Sequence, residues 1–172
     1  MTRLIEDPVL KQRYRFERSG DIVRVEAWVD PGGGVTPHRH PRMEERFKVL
    51  AGEITFTVGR RKVRVPAGES VVVPAGTRHA YRNRGAVEAQ MVAEAEPGLE
   101  LQEFLEAVSV LSRKGRINRF GMPTSPRAAV EAATVAARYR ETVELAFPPW
   151  FAVAALARLG RSRTTGHSTA IR

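Results

Sequence analysis

The 172 residues, 42% hydrophobic and 27% charged, suit one globular domain with a core of ordinary size. Cysteine is absent, which excludes disulfides, zinc–thiolate sites and cysteine nucleophiles, so any metal must be held by nitrogen and oxygen. The formal charge of +9 is uneven, with 17 Lys/Arg against 16 Asp/Glu in residues 1–112 and 11 against 3 in residues 113–172.

Residues 1–10 carry Glu6 and Asp7 and lack an apolar run, so no signal peptide is expected there. From about Arg13 to Glu94, short β-branched or aromatic runs alternate with turn clusters, the pattern of an all-β barrel or sandwich. The expected strands are Arg13–Glu17, Ile22–Val29, Arg46–Leu50, Glu53–Val58, Lys62–Val65, Ser70–Val73, His79–Arg82 and Glu88–Ala93. Clusters such as Asp30-Pro31-Gly32-Gly33-Gly34 and Pro74-Ala75-Gly76 separate them, with glycine supplying positive φ and proline pre-setting the turn. After Pro97 the period changes. Leu101, Phe104, Leu105, Val108 and Leu111 mark an amphipathic helix that Gly115 stops. A second helix is expected from Ser125, with Pro126 in its first turn, to about Ala146. Pro148-Pro149 breaks it, and a third, Trp150 to Leu159, ends at Gly160. The expected organisation is therefore mainly β: a barrel over 1–98, a helical extension over 99–160 packing on the barrel or a partner subunit, and a flexible basic tail over 161–172. The uncharged stretch from Leu145 to Ala157 is too short to span a bilayer, and a cytoplasmic location is expected.

Two stretches carry chemistry. The first sets Gly32, His38-Arg39-His40, Glu45 and Gly52 in register; the second sets Gly68, Pro74-Ala75-Gly76, His79 and Asn83. This spacing resembles the paired motifs of the cupin superfamily. The HxHPRxEERFxVLxGE run in particular is similar to small bacterial single-domain cupins with a helical C-terminal extension. The resemblance implies a jelly-roll β-barrel, a metal held by His38, His40, Glu45 and His79, and a homodimer, for which Ile22–Val29 is the candidate interface strand.

The residues support that ligand set on their own terms. His38 and His40 are two apart, so on an extended segment both imidazoles share a face. Alternation along the next strand puts Glu45, Phe47 and Val49 on one face and Arg46 and Lys48 on the other. Glu45 is then an inward carboxylate that needs something positive beside it. A lone HxH is more often a surface turn than a ligand pair; here three of the four histidines fall at the expected positions. Glu44 is the alternative carboxylate and should point away, while His167 is read as a bystander. Three imidazoles and one carboxylate suit Fe, Mn, Ni, Co, Cu or Zn and leave coordination positions open. Asn83 is expected to close its strand with side-chain-to-backbone hydrogen bonds. Met43, Phe47, Phe56, Tyr81, Gln90 and Phe104 are the candidate pocket residues, and Glu45 and Tyr81 the candidate catalytic groups.

A three-His, one-Glu site of this family implies a dioxygenase acting on a small molecule, for which the apolar pocket suggests an aromatic or diketone-like substrate. A redox-neutral isomerase or lyase is the first alternative, although no general base besides Glu45 is evident. A non-catalytic small-molecule binder is the second. Phe147, Trp150, Phe151, Val153 and Leu156 beside Arg158, Arg161 and Arg163 raise a peripheral membrane contact. A packed helix with a solvated arginine edge is the preferred reading of the same residues. No nucleic-acid-binding motif accompanies the charge.

Overall fold

The computed structural model describes residues 4–145, together with Ala155 and Arg158. Among these residues, eleven strands form two antiparallel sheets facing each other. The first sheet runs β1 (Ile5–Asp7), β2 (Gln12–Ser19), β3 (Ile22–Val29), β10 (Ala89–Glu96), β5 (Glu44–Ala51), β8 (Ser70–Val73). The second runs β11 (Glu144–Leu145), β4 (Gly34–Arg39), β9 (His79–Arg82), β6 (Glu53–Val58), β7 (Arg61–Pro66). The architecture is a jelly-roll barrel followed by helices, as the sequence leads one to expect.

Period-two alternation places the core. Tyr14 and Phe16 of β2, Val23, Val25, Ala27 and Val29 of β3, and Phe47 and Val49 of β5 are all buried. From the other sheet they meet Ile54 and Phe56, both fully buried. Phe47, Phe56 and Tyr81 form a cluster with ring centroids 5.0 to 6.0 Å apart, within the range in which aromatic pairs attract. One close approach demands glycine: at Gly34 (φ 152°) an added Cβ would collide with the Tyr81 carbonyl. Asn83 ties off β9 as expected, donating to the carbonyls of Val29 (2.8 Å) and Val87 (2.7 Å) and accepting from the Gly85 amide (2.8 Å).

All eight expected strands form. Three others were not expected as strands: β1, β4 and β11. Ile22–Val29 lies between β2 and β10 with both edges hydrogen-bonded, so its backbone is not free to pair with a second subunit.

Helix α1 (Leu101–Arg113) matches the expected amphipathic segment. Helix α2 (Pro126–Arg138) starts at the expected cap, where the Ser125 side chain accepts from the Ala128 amide (3.1 Å). It ends eight residues earlier than the expected Ala146, capped at Tyr139. The reason is tertiary. The segment that follows contains Thr142 and Val143, poor helix formers, and β4 has an unpaired edge that Glu144–Leu145 completes. The expected third helix lies outside the described residues except for Ala155 and Arg158, which are helical. The basic tail, His167 and the aromatic residues of the membrane reading lie outside them too. No helix among the described residues is long and apolar enough to cross a membrane.

The extension fastens to one edge of each sheet. Near the end of α1, Ser112 donates to Asp7 (2.6 Å) and Arg113 to the Glu6 carbonyl (2.9 Å), both on the edge strand β1. After α2, β11 adds to the edge strand β4, with Arg39 paired to Glu144 (2.7 Å).

Candidate metal centre

Three strands and the residue that follows β4 deliver four side chains to one point. His38 sits near the end of β4, opposite His79, the first residue of β9. Pro41 follows His40 and limits its backbone to extended conformations. Glu45 projects from β5 with Phe47 and Val49, while Glu44 faces outward and pairs with Arg46 (2.9 Å). Alternation therefore assigns Glu45, not Glu44, to the interior. One ligand atom from each of His38, His40, Glu45 and His79 lies within 4.8 Å of the others. Atoms each about 2.0–2.2 Å from a shared ion lie at most about 4.4 Å apart, so the group is close to the size that one ion requires.

The hydrogen bonds around the rings show what these atoms are. Each Nδ1 meets a backbone carbonyl: His38 with Thr36 (2.9 Å), His40 with Thr142 (2.7 Å) and His79 with Thr77 (3.0 Å). A carbonyl oxygen only accepts, so every Nδ1 carries the hydrogen. Each neutral ring then presents a bare lone pair at Nε2. His40 Nε2 and His79 Nε2 are buried without a hydrogen-bond partner, as is Glu45 Oε2. Yet Glu45 Oε2 lies 2.8 Å from His79 Nε2 and 3.3 Å from His40 Nε2. Acceptors held this closely repel unless a cation lies among them. The residues fit a divalent ion.

Protonation follows the same field. Burial by itself would lower the pKa of His40, but the negative charge of Glu45 beside it raises it above the ordinary value, drawing a proton where a metal would sit. Burial would raise the pKa of Glu45, yet His40 and His79 hold it far below the carboxylate range. His38 is lowered to about 3, by burial first and by His79 and His40 second. It therefore stays neutral and able to ligate.

A cavity of about 730 Å³ opens from this centre toward the extension. Phe47, Tyr81 and Phe104 line it as expected. Met43 and Phe56 are instead core residues at 1% and 0% exposure. Gln90 alternates with buried Ala89 and Met91, so it turns outward and donates to Glu26 (2.7 Å). Tyr81 donates its hydroxyl proton to Gln12 (2.5 Å), away from the ligand atoms. Tyr14, not singled out in the sequence, also lines the cavity, and its buried hydroxyl has no partner. Its alternation with Gln12 and Phe16 was the available signal. Burial foremost raises the pKa of Tyr14, and likewise of Tyr81, so both remain protonated. Thr142 was missed for another reason: it acts through its carbonyl, which any residue carries.

Comparison with known proteins follows the same lines. The family model described as a cupin domain matches residues 25–93. Endoribonuclease YbeY of Myxococcus xanthus (strain DK1622) is 40% identical over 67 residues, covering 39% of this chain and 23% of that protein. The tetracenomycin polyketide synthase protein TcmJ of Streptomyces glaucescens is 34% identical over 67 residues, covering 39% of this chain and 45% of that protein. The matched part thus spans less than half the length of these curated relatives. An RmlC-like cupin structure from Shewanella frigidimarina NCIMB 400 superposes with a TM-score of 0.54 at 19% identity, covering 59% of this chain and 89% of that one; the likeness is one of fold.

Proposed function

The chain carries a cupin domain, and from that premise we propose that it is a metal-dependent dioxygenase of small molecules, with its ion held by His38, His40, Glu45 and His79. The observation that carries the reading is the set of acceptors at one point: a carbonyl fixes each imidazole at Nδ1, and the buried Nε2 atoms of His40 and His79 face Glu45. A first-row divalent ion there would supply Lewis acidity, open coordination positions and, if redox-active, the electron transfer that oxygen insertion needs.

The remaining work falls to the chain. Glu45, held ionised, neutralises the ion and is a weak base. The hydroxyl of Tyr14 is a protonated donor without a partner, suited to a ligand oxygen. Among the described residues that line the cavity, Glu45 is the only carboxylate, and a redox-neutral isomerase or lyase would need a stronger base. That contrast favours the oxygenase. The substrate class supported is a 1,3-dicarbonyl or a related chelating oxygen pair. The similarity to a polyketide synthase protein agrees with it, since polyketide chains carry carbonyls on alternate carbons.

The test is elemental analysis of protein purified without a chelating tag, followed by oxygen uptake with benzoylacetone as the probe. The expected result is about one transition-metal ion per chain, none in His79→Ala, and oxygen consumption only by the metal-bearing protein. A wild-type chain that neither carries nor takes up a transition metal overturns the metal centre. Metal without oxygen uptake overturns the dioxygenase and leaves a binding protein.

A further inference from the structure

We propose that the α1–α2 hairpin is the selecting wall of the ligand site, accommodating an apolar, ring-sized body whose oxygen-bearing head faces the four ligand residues. This rests on the metal-centre reading above and adds to it the chemistry of the part of the ligand that does not touch the ion.

The first observation concerns α1. Its apolar stripe is not uniformly covered. Leu101 and Leu111, at its two ends, are buried, at 4% and 8% exposure. Phe104, Leu105 and Val108, between them, are only half-buried and line the cavity. A helix packed directly on a barrel would bury the middle of its stripe best. Here the middle borders the cavity, with Leu105 packing only partly on the barrel core and Phe104 on Tyr139.

The second observation concerns α2, which faces the same space with Ala132, Val135 and Ala136. Two of these three are alanines, so the wall is apolar yet recessed. Good helix formers with small side chains build a stable element without filling the void.

The third observation is anchorage. The hairpin is fastened to β1 at one end and to β4 through β11 at the other. It stays across the open edge of the barrel as a fixed wall. Charge narrows the ligand further. Arg82, Arg84 and Arg119 line the cavity, and Glu45 is its only acid among the described residues. An amine head is disfavoured and an acidic oxygen head favoured.

Two hydroxamate probes of different size separate the wall from the metal centre. The full chain loaded with Co(II) is titrated with acetohydroxamic acid and with 2-naphthohydroxamic acid, followed by the visible spectrum of the ion. The wild type is expected to bind the naphthyl probe at least tenfold more tightly than the acetyl probe. Ala132→Leu, which fills the recess, should abolish that preference while leaving acetyl-probe affinity and cobalt content within twofold. Leu105→Ala, which strips the wall without crowding it, should weaken naphthyl binding severalfold and acetyl binding not at all. A wild type with no size preference, or a preference that survives both substitutions, overturns the proposal. Failure to take up cobalt overturns the metal-centre reading and this one with it, whereas cobalt with equal affinity for both probes overturns the wall alone.

Discussion

The barrel and the helical extension face one cavity with opposite kinds of surface. The barrel's contribution is tightly specified: His79 and Glu45 are 1% and 5% exposed, their strands are paired on both sides, and a carbonyl fixes each imidazole. The extension's contribution is apolar, half-buried and free of directional bonds at Phe104, Leu105 and Val108. The difference teaches how chemistry and selectivity divide. Fixed geometry is needed where an ion must be held, whereas shape and hydrophobicity suffice where a ligand body is sorted. Within the metal centre the extension contributes one bond, in which the Thr142 carbonyl accepts from His40 of the barrel.

The largest expected effect breaks the barrel side of the comparison. Phe56→Ala should cost about 3–5 kcal/mol in urea unfolding, since Phe56 is fully buried and packs on Phe47 and Tyr81. Leu105→Ala should cost less than about 1.5 kcal/mol, because its side chain is only half-buried. Equal losses would show that the two surfaces are not different in kind.

Glu45→Gln should follow in size. It removes the charge that two imidazoles and an ion share, so metal affinity should fall at least a hundredfold by competition against a chromophoric chelator. In the wild type, chelation itself should lower the unfolding midpoint, as a ligand at about 1,000 times its Kd adds about 4 kcal/mol.

The pH dependence of the metal-free protein sharpens the electrostatic side. His38 is lowered to about 3 from 6.5, so between those values the unfolded chain binds the extra proton and stability falls as pH drops. Glu45, depressed from 4.5, adds a loss in the same direction below that value. The raised His40 contributes fully below 6.5 and loses its contribution as pH rises through its folded value. Urea midpoints of the metal-free protein should therefore peak near pH 6.5. In the metal-loaded protein His40 is already unprotonated, and the decline on the alkaline side should vanish.

The smallest effect tests the contact between the regions. Glu144→Arg opposes Arg39 and should loosen β11, moving the Thr142 carbonyl from His40 and weakening Co(II) binding about tenfold. Adding Arg39→Glu should restore the pair and most of the affinity. A charge swap that restores nothing would show that the extension does not position His40.

Much of the metal centre was legible beforehand because it depends on alternation, and alternation is local. The choice of Glu45 over Glu44 follows from the two-residue period of β5 alone, and the structure agrees through the Glu44–Arg46 pair outside the barrel. The start of α2 was legible in Ser125 and Pro126 for the same reason. Its end was not, nor was the outward turn of Gln90, which alternation with Met91 would have shown had the ends of β10 been fixed.

The sequence by itself determined the barrel, the choice of four candidate ligand residues and the amphipathic faces of the helices, because periodicity and motif spacing are properties of neighbouring residues. Only the tertiary structure decided that Thr142 orients His40, that Tyr14 keeps an unpartnered hydroxyl at the cavity, and that the extension joins one edge of each sheet. Each of these joins residues distant in the chain, through a backbone carbonyl, an unpaired hydroxyl or a free strand edge. Such groups leave no local pattern to read, and only the folded chain brings them together.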